Sequence, residues 1–208
     1  MDLGIRGKHA LVTGGCNGIG SQITIDLLNE GCVVTATTRS EKAGEAFKAT
    51  LPNDLVDSFR YTIGEFADKS NLNTFLQDNY FEYDILVNNA GHTLAVTDPY
   101  CSIDRWHEVF YLNFFSAVQI SNACIAHMKK QGWGRIINIS SCAGLENSGP
   151  VTYTSAKASL TAYSRTMGRI LATESPGVVM TALYPGVIVT PGGHWDKVLA
   201  ENPEHANK

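Results

Sequence analysis

Residues 9–31 constrain this chain more than any other stretch. His9-Ala10-Leu11-Val12 is a short apolar run that leads directly into Thr13-Gly14-Gly15-Cys16-Asn17-Gly18-Ile19-Gly20. Beyond Gly20 the apolar residues Ile23, Leu27 and Leu28 recur at helical spacing, and Gly31 supplies a C-terminal stop. The local plan is strand, glycine turn, helix, strand. In that setting the glycines have definite tasks: they permit a tight turn, let a pyrophosphate approach the backbone, and let the helix pack close to the strand. A glycine run between a strand and a helix reads as a dinucleotide-binding turn.

The second strand, residues 32–37, sharpens this. Where many NAD-binding folds carry an acidic residue for the ribose hydroxyls, this chain has Thr38-Arg39-Ser40. A carboxylate there would repel a 2'-phosphate, whereas Arg39 would pair with it, so NADP(H) is favoured and NAD(H) remains possible.

The β-α alternation continues. Residues 41–48 suit an exposed helix, ended by Leu51-Pro52-Asn53-Asp54, and residues 59–63 alternate as a strand should. Glu65 and Phe66 follow, placed to hydrogen-bond an adenine edge and cover its face. A helix around Leu72, Phe75 and Leu76 leads to a buried-type strand at 83–87, which closes in Asn88-Asn89-Ala90-Gly91. Small residues at a strand end let a cofactor ring lie close to the backbone. One helical pattern runs from Ile103 to about Met128, with Asn113 inside it, where its moderate propensity calls for a reason. Strands at 135–139 and 178–183 complete the series. The expected fold is α/β: a Rossmann-type doubly wound parallel sheet with helices on both faces, in a single domain over residues 1–208.

Tyr153 and Lys157 are spaced i and i+4 in a helix that Gly149-Pro150 can start, so both side chains share one face. A free tyrosine has a pKa of about 10 and transfers protons poorly at neutral pH. An ammonium one turn away is expected to lower that value, and a serine from the preceding Ser140-Ser141-Cys142-Ala143-Gly144 run can fix a substrate oxygen beside it. The loop between them is rich in Gly, Pro and Ser.

Composition narrows the function classes. A formal net charge of -4 and a pI near 5.8 give no basic surplus, which argues against a nucleic-acid partner. The chain opens without a long apolar leader and is expected to be cytoplasmic. Residues 175–195 lack Asp, Glu, Lys and Arg, but Pro176, Gly177, Pro185, Gly186, Pro191, Gly192 and Gly193 interrupt them, so a buried strand with loops is expected rather than a membrane span. Five cysteines without a Cys-x-x-Cys pair read as reduced thiols, and the six histidines show no metal-ligand spacing, so no metal is expected.

With these pieces in order, the sequence resembles the short-chain dehydrogenase/reductase family, in its one-domain branch. Thr13-Gly14-x-x-x-Gly18-Ile19-Gly20, Asn88-Asn89-Ala90-Gly91, Asn113, Ser141, Tyr153-x-x-x-Lys157 and Pro185-Gly186-x-Ile188-x-Thr190 match its motifs in sequence order. The resemblance implies a catalytic tetrad. Tyr153 would be the acid or base, Lys157 would lower its pKa and hold the nicotinamide ribose, Ser141 would bind the substrate oxygen, and Asn113 would position a water leading from Lys157 to solvent. Ser140 would be structural. It also implies a cofactor site built from Gly14, Asn17, Gly18, Ile19 and Gly20 at the turn, Arg39, Glu65 and Phe66 at the strand tips, Asn89, Ala90 and Gly91 opposite, and Pro185, Gly186, Ile188 and Thr190 beyond the last strand.

Departures from the family pattern are specific. Members commonly run to about 250 residues, within the usual single-domain range. Here residues 186–208 stand as the substrate-loop region, and the usual C-terminal helix and last strand are expected to be absent. Glu65 replaces the usual Asp or Asn, and Asn17 stands where NADP-preferring members often place a second basic residue. The wording at Val179-Met180-Thr181-Ala182 and Gly192-Gly193-His194-Trp195 looks similar to members that modify flagellin-glycan sugars, and more broadly to 3-oxoacyl carrier-protein reductases. The leading expectation is an oxidoreductase of a carbonyl and a secondary alcohol. The alternatives are a catalytically impaired cofactor-binding or scaffold protein and, disfavoured by the glycine spacing, a sugar-nucleotide epimerase or dehydratase. The apolar surface of the helix through Trp106, Phe110 and Phe114, with the resemblance, implies a homodimer or homotetramer.

Overall fold

The computed structural model describes residues 2–146, 148–190 and 194–201. Six parallel strands form one sheet in the order β3-β2-β1-β4-β5-β6: β1 His9–Val12, β2 Val33–Thr38, β3 Phe59–Ile63, β4 Ile85–Asn88, β5 Gly134–Ile139 and β6 Val178–Leu183. The order reverses between β1 and β4, and the crevice beyond their carboxyl ends is where such sheets hold ligands.

Alternation along the strands sorts the core into two layers. Ala10 and Val12 of β1 join Val34 and Ala36 of β2 under α1 (Gly18–Asn29) and α2 (Glu41–Lys48), together with Leu28 and Phe47. Leu11 points the other way, with Leu86 and Ile136, to meet Leu72 and Phe75 of α4 (Lys69–Asp78), Ile120 and Met128 of α6 (Ser116–Gln131), and Leu171 of α8 (Val151–Glu174). This is a doubly wound α/β sheet, as the sequence predicts.

Four details differ from that expectation. A single turn, α3 (Asn53–Val56), follows Pro52, where the end of α2 was expected. The helix through Asn113 is not uniform. It runs as α5 (Ile103–Phe110), a π-helical turn at Tyr111–Phe115, and then α6. By length and apolar composition residues 103–131 would span a membrane, yet Ile120, Cys124 and Met128 are fully buried in the sheet-facing core. The expected loop after Ser141 holds a short helix, α7 (Ala143–Glu146), and the expected substrate-loop region holds α9 (His194–Glu201). Gly192 and Gly193 lie outside the described residues.

Candidate active site

The tips of β1 and β4 are tied together by one buried hydroxyl. Thr13 Oγ1 accepts the Asn89 N–H at 2.9 Å and the Ala90 N–H at 3.0 Å. Asn89 returns the link, its side-chain amide donating to Thr13 O (2.9 Å) and Gly14 O (3.2 Å), while the Gly14 N–H donates to Thr37 Oγ1 of β2 (2.9 Å). Gly14 and Gly18 take φ of +64° and +54°, a region costly for residues with a Cβ. A Cβ on Gly20 would collide with the Gly14 carbonyl and lie 2.5 Å from Asn89 Nδ2.

The turn delivers an open helix end. Asn17 is the N-cap of α1, its side chain makes no capping bond, and no acidic residue occupies the first turn. The N–H groups of that turn, with the partial positive charge of the helix, suit a phosphate. Ile19 is half-buried beside them. Thr190 Oγ1 would stand 3.7 Å from a Cβ on Gly18, and Pro185 O accepts the Cys142 N–H at 3.1 Å, so residues 185–190 bridge from the Ser141 loop to the glycine turn. Arg39, just past β2, is exposed, and among the described residues no hydrogen bond or ion pair engages it. Glycine cradle and uncapped helix together fit a dinucleotide.

At the tip of β3 the expectation is only partly met. Glu65 is half-buried and accepts the Ala67 N–H at 3.1 Å. Phe66, however, is 1% exposed and packs edge-on against Phe75 with ring centroids 5.0 Å apart. Its ring belongs to the core and cannot cover an adenine face. Only its backbone remains for that task.

The four tetrad positions converge from three elements. A Cβ on Gly91, past β4, would lie 2.8 Å from Asn113 Oδ1 and 2.9 Å from Lys157 Nζ. Asn113 sits in the π-helical turn, where its Oδ1 accepts the His92 N–H (3.1 Å) and its Nδ2 donates to His92 O and Val109 O, both at 2.8 Å. A π turn costs backbone regularity and is common where a side chain must be re-aimed at a site. The Asn113 side-chain amide therefore pins the backbone at His92, and Oδ1 retains a second lone pair. Ser140 Oγ is bonded to Lys157 O and Thr161 Oγ1, both at 2.9 Å, as a structural residue would be. Ser141 Oγ accepts the Ala143 N–H (3.1 Å) and lies against the Tyr153 phenol.

Electrostatics corrects one expectation. Lys157 Nζ donates to Ile139 O at 2.7 Å and stands 5.7 Å from the Tyr153 ring centroid. Burial pushes the lysine down to about 8. Burial also raises the Tyr153 phenol above the ordinary tyrosine value, and the Ser141 hydroxyl offsets only part of this. The net shift of Tyr153 is therefore upward, opposite to the expected fall. The Lys157 ammonium is aimed at a backbone carbonyl, and the pocket disfavours charge on both groups.

A measurable consequence follows from the lysine. Below about pH 8 Lys157 is protonated in both folded and unfolded chains, so the burial penalty is constant. Between about 8 and the ordinary lysine value of 10.5 the unfolded chain binds more protons, so this group's contribution to stability rises with pH. In urea titrations the parent should gain on Lys157→Met by about 2 kcal/mol between pH 7.5 and 10. A difference independent of pH would show that the lysine is not desolvated.

Sequence reasoning missed several contributors. The glycine motif that begins at Thr13 does not announce that its hydroxyl joins two strand tips. Gly15 is as constrained as its neighbours, since a Cβ added there would lie 2.8 Å from both Ala36 Cβ and Thr24 Oγ1. Behind the site, Asn88 Nδ2 donates to Asn138 Oδ1 (2.7 Å) and Ser121 Oγ (3.0 Å), and Asn138 Nδ2 donates to Ser164 Oγ (2.8 Å). Only the register that pairs Asn88 with Asn138 could have announced this buried ladder.

Comparisons with known proteins agree with this fold. The family profile described as short chain dehydrogenase matches residues 8–196. The chain is 34% identical over 190 residues to a 3-oxoacyl-(acyl-carrier-protein) reductase of Haemophilus influenzae, covering 89% of this chain and 76% of that one. It is 32% identical over 206 residues to a ketoacyl reductase described for the granaticin polyketide synthase of Streptomyces violaceoruber, covering 96% and 80%. Among solved structures, a Beutenbergia cavernae protein described as an NAD(P) dependent gluconate 5-dehydrogenase, with NADP bound at low occupancy, superposes with a TM-score of 0.83. The identity is 26%, over 98% of this chain and 80% of that one.

Proposed function

Since the chain belongs to the short-chain dehydrogenase family and is an NAD(P)-dependent oxidoreductase acting on carbonyl and alcohol groups, we propose that Tyr153 exchanges the proton of the substrate oxygen and that NADP(H) is the preferred cofactor. The observation that carries this is the convergence of Ser141, Tyr153 and Lys157 with Asn113 at the open end of the glycine cradle. When bound, the cofactor supplies or accepts the hydride. Ser141 Oγ holds the substrate oxygen at the phenol. Tyr153 gives that oxygen its proton in reduction and takes it in oxidation, so no free alkoxide builds up. The phenol pKa, raised by burial, keeps the proton on Tyr153 at neutral pH, ready for the reducing direction. Lys157, beside Gly91 and Asn113, is placed to hold the ribose and to pass a proton from solvent. Steady-state NADPH oxidation with simple ketones tests the reading, and its absence would favour a scaffold protein.

Cofactor choice rests on Arg39. NADPH should bind more tightly than NADH, and Arg39→Ala should narrow the gap. A lost charged hydrogen bond is worth roughly 1.5 to 3 kcal/mol, or about ten-fold to over a hundred-fold in affinity. Calorimetric titration of both cofactors into both proteins measures it. Equal affinities in the parent would leave Arg39 as a surface charge.

A further inference from the structure

Consecutive residues at the tip of β5 each hold a different part of α8. Ile139 O accepts from Lys157 Nζ at 2.7 Å, Ser140 Oγ stands 2.9 Å from both Lys157 O and Thr161 Oγ1, and Ser141 Oγ lies against the Tyr153 phenol. Thr161 Oγ1 is itself 2.9 Å from Lys157 O, so two hydroxyls, one from each element, close on one carbonyl. The Ser140 N–H donates to Leu183 O of β6 at 2.8 Å, which fixes the serine to the sheet. Gly144 rests on the same lysine peptide: a Cβ there would lie 2.8 Å from the Lys157 carbonyl carbon and 3.1 Å from Lys157 Cβ.

Stability alone does not account for these hydroxyls. Ser140, Lys157 and Thr161 are all buried. A neutral hydrogen bond inside a protein adds little net stability over an apolar pair of the same shape, but it penalises any arrangement that leaves a member unpaired. What the cluster supplies is position. Lys157 has a flexible four-carbon side chain, and a Cβ on Gly91, past the end of β4, would lie 2.9 Å from its Nζ. With Nζ held by residue 139 and the carbonyl by residue 140, both ends of the lysine are referred to one strand tip. A shift of α8 along β5 would carry the ammonium away from Gly91.

We propose that Ser140 is a positioning residue for Lys157: its hydroxyl, together with that of Thr161, sets the seat of α8 on the tip of β5 and so holds the ammonium beside Gly91. The inference rests on the reading of Lys157 as the residue that holds the ribose. Ser164 supplies a control on the same helix. It is buried too, and its hydroxyl accepts Asn138 Nδ2 of the same strand at 2.8 Å, but its bonds go to Asn138 and Leu160 rather than to Lys157.

The test is calorimetric titration of NADPH, kcat for 2-butanone reduction and urea unfolding of Ser140→Ala, Ser164→Ala, Thr161→Val and Thr161→Ser. Ser140→Ala should weaken NADPH binding and lower kcat by about ten-fold each, as a displaced ammonium loses its aim. Ser164→Ala should lose comparable stability, since it removes the same kind of buried bond, yet stay within about two-fold of the parent in affinity and kcat. Thr161→Val, isosteric but without the hydroxyl, should follow Ser140→Ala in milder form, and Thr161→Ser should keep the parent's values. That pair decides the matter if Ser140→Ala does not fold. Parent-like affinity in Ser140→Ala, no difference between Thr161→Val and Thr161→Ser, or equal losses in Ser140→Ala and Ser164→Ala would overturn the positioning role while leaving the reading of Lys157 in place. Lys157→Ala binding NADPH as tightly as the parent would overturn that reading, and the positioning role with it.

Discussion

Tyr153→Phe should lower kcat for ketone reduction by at least a hundred-fold and leave NADPH affinity within about two-fold. The size comes from general acid catalysis, which contributes typically 10²- to 10⁴-fold. The selectivity comes from the packing. Tyr153 packs against the small buried cluster of Val96, Val109 and Ala156, and phenylalanine keeps that ring contact. Lys157 is anchored to Ile139 O rather than to the phenol, so its position does not depend on the hydroxyl. Only the proton donor and its contact with Ser141 are lost. Single-turnover measurements with saturating NADPH would separate chemistry from binding. A variant keeping more than a tenth of the parent's kcat would show that Tyr153 is not the proton donor, and loss of cofactor affinity would show that the substitution disturbs the cradle.

Sheet and cradle were legible in the sequence because both depend on local pattern. Alternation in β1 and β2, the helical spacing of Ile23, Leu27 and Leu28, and the glycines between them encode strand, turn and helix within some twenty residues. The Tyr153–Lys157 pairing was equally local, being one turn of one helix. What the sequence hid was long-range. Phe66 looked available because it follows a strand at a tip, but the T-shaped packing with Phe75 depends on how α4 returns to the sheet. The Tyr153 pKa was expected to fall because the lysine is one turn away in sequence. Its direction is set instead by burial under other elements, which the Ser141 hydroxyl offsets only in part. The π turn at Asn113 likewise left only an indirect trace, a polar residue in an apolar helix.

The second large effect belongs to Gly20. A methyl group there would overlap the Gly14 carbonyl oxygen and stand 2.5 Å from Asn89 Nδ2. Neither neighbour can retreat cheaply. Gly14 is fixed at φ +64° with its N–H on Thr37, and the Asn89 amide is held by Thr13 O and Gly14 O. Helix and strand tip must therefore separate, which moves the uncapped first turn of α1 away from its place beside β4. Gly20→Ala should weaken NADPH binding by more than about a hundred-fold, as a displaced phosphate loses charge-assisted bonds worth roughly 1.5–3 kcal/mol each. It should also lower unfolding free energy by about 1–3 kcal/mol, the usual cost of overpacking. Gly132→Ala is the control. Gly132 also has positive φ, +72°, but a Cβ there meets nothing within 4 Å. That variant should lose only about 1 kcal/mol for the left-handed backbone and bind NADPH as the parent does. Calorimetric titration and urea unfolding of both variants decide the matter. If Gly20→Ala bound NADPH with the parent's affinity, close approach of α1 to the strand tips would not be what makes this turn a cofactor cradle.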